Sequence, residues 1–84
     1  MKITFRARVW KCIPAFQVPW PIARKINVWN KDDVMLAIKR GKSEIYNGQA
    51  HLTSGTEVRS GKAIKGLRNN EWITVTIRPP LKPP

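Results

Sequence analysis

Three stretches of the chain alternate between apolar and polar residues with a period of two. Over residues 2–10, Ile3, Phe5, Ala7 and Val9 fall on one side, and Lys2, Thr4, Arg6, Arg8 and Trp10 on the other. Over residues 72–78, Ile73, Val75 and Ile77 oppose Trp72, Thr74, Thr76 and Arg78. Between them, Ile26 and Val28 alternate with Lys25, Asn27 and Trp29. Successive strand side chains point to opposite faces, so the pattern predicts strands over residues 2–12, 22–29 and 71–78. In each of them a tryptophan shares the cationic face.

The other elements follow from local signals. Residues 13–21 hold Pro14, Pro19 and Pro21. Each proline removes a ladder donor and pushes its predecessor towards extended geometry, so an extended surface connection is expected, with Phe16 and Val18 turned inward. Asn30 resembles an N-cap, with Asp32 and Asp33 at the positive end of a helix. Val34, Met35, Ala37 and Ile38 have helical spacing, Lys39 and Arg40 suit the last turn, and Gly41 suits the left-handed stop. Asn47-Gly48 predicts a two-residue hairpin that pairs Tyr46 with Gln49, Ile45 with Ala50, Glu44 with His51 and Ser43 with Leu52. Residues 54–70 carry Gly55, Gly61 and Gly66 and read as a loop with one helical turn around Lys62 to Leu67. Residues 79–84 are rich in proline and read as a polyproline-like tail. The expectation is a single basic α+β domain over residues 1–78: a small, mostly antiparallel sheet of four to five strands with one short helix packed on it.

Composition changes the picture chiefly through charge. Sixteen Lys and Arg against five Asp and Glu give the 84-residue chain a net charge of +11. That excess repels itself and favours a polyanionic partner. Nucleic acid leads, an acidic protein surface follows, and an anionic membrane comes last. No apolar run is long enough to cross a bilayer, and no apolar segment of signal-peptide type opens the sequence. Cys12 is the only cysteine and His51 the only histidine. Neither an internal disulfide nor a Cys/His zinc site is therefore expected, and a reducing, cytoplasmic setting fits. No cofactor is expected.

The candidate binding residues form three groups. If the alternating strands share one sheet, Arg6, Arg8, Trp10, Lys25, Trp29, Trp72 and Arg78 lie together on its polar face. Flat rings among cations suit base stacking and phosphate contact, and single strands more than duplex. The competing expectation buries the rings at the rim of the core. A second group, Arg59, Lys62, Lys65 and Arg68, recurs every third residue with no acid among them, and the flanking glycines let phosphate oxygens approach backbone amides. The third, Lys39, Arg40 and Lys42, is explained largely by the predicted helix end, and gains interest only beside residues 59–68.

Catalysis is not expected. His51 reads as a cross-strand partner of Glu44, Cys12 has no base nearby in sequence, and the acids are scattered. A ribonuclease combining His51, a glutamate and arginines is the one enzymatic option. Helix-turn-helix, zinc-finger, RRM and KH signatures are absent. The sequence thus favours a non-enzymatic nucleic-acid-binding module of low sequence specificity. The alternative is a small phage- or plasmid-type regulator or inhibitor that docks on an acidic protein surface. A homodimer built on the tryptophan-bearing face is a further option.

Overall fold

The alternating segments at the two ends of the chain become neighbouring strands. The computed structural model describes residues 2–10, 15–28, 33–53, 55–59, 64 and 66–78. Strands β1 (Ile3–Arg8) and β6 (Trp72–Arg78) pair antiparallel, with Ile3 opposite Ile77 and Arg8 opposite Trp72. The other edge of β6 takes β3 (Asp33–Arg40), and β3 in turn pairs with β4 (Ser43–His51). The sheet order is β1-β6-β3-β4. A two-stranded antiparallel sheet joins β2 (Ala15–Gln17) to β5 (Glu57–Arg59), and one short helix, α1 (Trp20–Ile26), completes the described elements. The fold is therefore mostly β, with less helical character than the α+β class expected from the sequence.

Strand β3 occupies the segment expected to be a helix. Residues 34–38 are apolar without interruption, so helical and strand periods both fit them. The strand period wins because Val34, Leu36 and Ile38 become fully or almost fully buried between two partner strands. Asp33 opens the strand instead of capping a helix, while Asn30 and Asp32 lie outside the described residues. Gly41 does adopt a left-handed φ of 62°, but in the turn that joins β3 to β4.

The predicted Asn47-Gly48 hairpin does not form, because β4 runs straight through it. Tyr46 lies opposite Ile38 rather than Gln49, and His51 lies opposite Asp33 rather than Glu44. Long pairing along β3 outweighs the local turn preference. Gly48 serves another purpose there. Its missing Cβ leaves room for the Tyr46 hydroxyl, which donates to the Gln49 carbonyl.

A helix also replaces the strand expected over residues 22–29. Pro21 stands in its first turn, where no helical hydrogen bond is lost. At the other end Asn27 is left-handed, with φ 58°. The Val28 N–H donates to the Ala23 carbonyl at 3.0 Å, and the Asn27 N–H donates to that of Arg24 at 3.2 Å. This is a Schellman ending, and Arg24 and Lys25 sit at the negative end of the helix. Asn27→Gly should leave stability unchanged or slightly raised, whereas Asn27→Val should destabilise by about 1–2 kcal/mol. Urea unfolding of the two variants checks this, and equal midpoints would refute it.

One hydrophobic cluster unites these parts. The inner sheet residues Ala7, Val34, Leu36, Ile38, Ile73, Val75 and Ile77 join Phe16 and Val18 of the proline-rich connection, Ala23 and Ile26 of α1, and Val58 of β5. Phe16 and Val18 are turned inward as expected. Ile64 and Leu67 are also buried; Gly66 has a φ of 88°, and the helical turn expected around Lys62 to Leu67 lies largely outside the described residues. The proline-rich tail, residues 79–84, lies outside the described residues. Burial on one face of the sheet leaves its other face to solvent, and that face carries the candidate site.

Candidate functional site

Register decides which side chains share the outer face. Residues directly opposite one another in an antiparallel pair point to the same side. Arg6 lies opposite Thr74, Arg8 opposite Trp72, and Thr4 opposite Thr76. The Thr4 and Thr76 hydroxyls meet at 2.9 Å. Across β6, Lys39 lies opposite Thr74 and Met35 opposite Arg78. The outer face thus presents Arg6, Arg8, Trp72 and Arg78 together, with Lys39 beside them.

The rings on this face are exposed. Trp72 is 54% exposed and Trp10, two positions beyond Arg8, is 43% exposed, so the expectation of rings buried at the core rim fails for both. The Arg6 guanidinium lies 5.4 Å from the centre of the Trp72 ring. That is the diagonal contact the register predicts, and it is within cation–π range. The contact holds the indole while leaving much of its surface open.

Acids are distributed unevenly over the same face. Glu44 lies opposite Lys39, and Asp33 pairs with the His51 Nδ1 at 2.8 Å, so both belong to the β3–β4 half. Among the described residues no acid faces Arg6, Arg8 or Arg78 within ion-pairing distance. The β1–β6 half is therefore a strip of cations and aromatic rings.

Other predicted site residues fall elsewhere. Lys25 lies on α1 and not on the sheet. Arg59 belongs to β5 and is ion-paired to the nearly buried Glu57, which also accepts from the Thr53 hydroxyl at 3.3 Å. Its charge is thereby largely answered within the protein. Arg68 is exposed. Trp29, Lys62 and Lys65 lie outside the described residues. The candidate residues do not include Trp20, which is 49% exposed at the start of α1, and Lys39, a candidate expected at a helix end, lies instead on β3 opposite Thr74. Reading residues 33–40 with period two would have placed Lys39 on the outer face.

Arg40 leaves the binding inventory altogether. Its Nε and Nη2 donate to the two Glu71 carboxylate oxygens at 2.7 and 2.9 Å, and Nη2 also donates to the Gly66 carbonyl at 2.6 Å. The Arg68 N–H donates to the same carboxylate. The Arg40 guanidinium, aided by the Arg68 amide, holds the Glu71 carboxyl below the usual carboxylate range against the opposing effect of burial. The bond to Glu71 likewise raises the pKa of Arg40. The fold does bring Arg40 beside residues 66–71, but as a structural clamp.

Among the described residues no group of three or more His, Cys, Asp or Glu side chains is placed to hold a metal ion, and no helix is long and apolar enough to cross a membrane. No protein-family model, curated protein or solved structure matches the chain, so any functional reading stands on the geometry of this face.

Proposed function

We propose that the protein is a non-enzymatic nucleic-acid-binding module that uses the outer face of β1 and β6. Arg6, Arg8 and Arg78 contact phosphates, while Trp72 and Trp10 stack on bases. The observation that carries this reading is the exposed Trp72 ring held by Arg6 at 5.4 Å on a strip whose arginines meet no acid among the described residues. An open flat face with exposed rings favours unpaired bases, because duplex bases are already stacked on each other. Sequence specificity is low, since stacking and phosphate contact accept every base.

An exposed tryptophan beside arginines is also the make-up of a protein-binding hot spot, which supports docking on an acidic protein as the second reading. Titration with single-stranded oligonucleotides at several salt concentrations separates the two. If Arg6, Arg8 and Arg78 each neutralise one phosphate, the log–log salt slope should be about −2.1, at about −0.7 per phosphate. Tryptophan fluorescence should fall on binding. No quenching and no salt-dependent binding would overturn the nucleic-acid reading.

A further inference from the structure

The strip does not end at Arg78. A depression of about 190 Å³ opens on the outer face, lined in part by Lys2, Met35, Ala37, Asn47, Thr76 and Arg78. It exists because Ala37, a small residue, lies between Thr76 of β6 and Asn47 of β4 in the register. Larger neighbours form its rim. We infer that this depression is a second station for the same ligand, a pocket for one base of a single-stranded nucleic acid whose backbone follows β1 and β6 from Trp72. This rests on the reading of the face as a nucleic-acid surface.

Three features support the assignment. The first is electrostatic. Lys2 and Arg78 approach the same depression, and neither is ion-paired to an acid among the described residues. Like charges on neighbouring strands repel one another, and a phosphate placed between them removes that repulsion. The second is polar complementarity. One Asn47 amide N–H donates to the Glu44 carboxylate at 3.3 Å, which orients the group. Its carbonyl and second N–H remain to pair with a base edge. Glu44 stands three residues along β4 from Asn47, and its carboxylate repels phosphates there, which leaves the base at the amide and the backbone beside Lys2 and Arg78. The third is distance. Trp72 and Arg78 are six residues apart on one strand, or about 20 Å at about 3.3 Å per residue. A strand fixed at both stations covers roughly four nucleotides, the low end of the site sizes used by small single-strand binders.

The test is length dependence in the full chain, with DNA and RNA homopolymers of two and six nucleotides as probes. Ala37→Ile fills the depression without changing charge, and a β-branched residue suits this half-buried strand position. Asn47→Ala removes the amide and leaves the depression open. Both variants should bind the six-nucleotide probes about fivefold or more weakly than the parent, as expected for loss of a base-edge contact. Both should bind the two-nucleotide probes, held at Trp72 alone, as the parent does. A stronger effect on RNA than on DNA would assign the pocket to ribose-containing strands, and equal effects to either. Parent-like binding of all probes by both variants would overturn the pocket while leaving the Trp72 station intact. Failure of every probe to bind the parent would overturn the underlying reading instead.

Discussion

Trp72→Leu is expected to weaken single-strand binding by about 1–3 kcal/mol, the range found when a base-stacking ring is removed. That is roughly a 5- to 150-fold loss in affinity. The salt slope should stay unchanged, because the substitution removes no cation. Arg6→Ala should behave differently: it deletes one phosphate contact, so the slope should become shallower by about 0.7. It also removes the guanidinium that sits 5.4 Å from the indole centre, so quenching by bound bases should change as well. Trp72 is 54% exposed and its contribution to the core is small. Unfolding midpoints of Trp72→Leu should therefore stay close to the parent's, which separates lost binding from lost folding. Unaltered affinity in Trp72→Leu would remove the ring from the interface.

The second large effect concerns stability at Glu71. This carboxylate receives two donors from Arg40 and one from the Arg68 backbone, and its side chain is only 13% exposed. Glu71→Gln keeps the shape but loses the charge that all three donors address. The expected loss is about 1–3 kcal/mol, with the lower part of the range favoured because Arg40 remains partly in solvent. The pH dependence has a definite sign. The folded-state pKa of Glu71 is depressed, so its stabilisation is fully present above the unfolded carboxyl pKa of about 4.3. It is lost as the pH falls through the lower, folded value. Urea unfolding between neutral and acidic pH should show the parent losing stability below that point. The Glu71→Gln curve should start lower and fall less steeply. Parallel curves would show that Glu71 does not carry the dependence.

Much of the proposed binding strip was legible because β1 and β6 alternate strictly. One register places Ile3, Phe5, Ala7, Ile73, Val75 and Ile77 inward and Arg6, Arg8, Trp72 and Arg78 outward. The centre of the chain was not legible in the same way. Residues 34–38 satisfy both periodicities, and only the presence of β6 and β4 on either side makes the strand the lower-energy choice. Asn47-Gly48 carries a strong local turn signal that a long pairing with β3 overrides. In α1 the valid cues were Pro21 in the first turn and Asn27 at the end, but the alternation of Ile26 and Val28 suggested a strand. Charge alone did not tell solvent-facing cations from clamps. Arg40 and Arg59 are engaged by Glu71 and Glu57, acids far apart in the sequence for Arg40 and on the same short strand for Arg59.

The position of β6 has a consequence for how the protein is made. Among the described strands it comes last in sequence, yet it fills an interior slot between β1 and β3. A chain growing on the ribosome holds β1 without a neighbour and can assemble at most the β3–β4 pair of the larger sheet until residues 72–78 emerge. Closure across so long a stretch of chain is slow. Arg6 gains its indole partner, and Arg8 its cross-strand neighbour Trp72, only when β6 pairs, so the proposed recognition surface is completed with that strand, and a nascent chain stopped before Trp72 lacks its central ring.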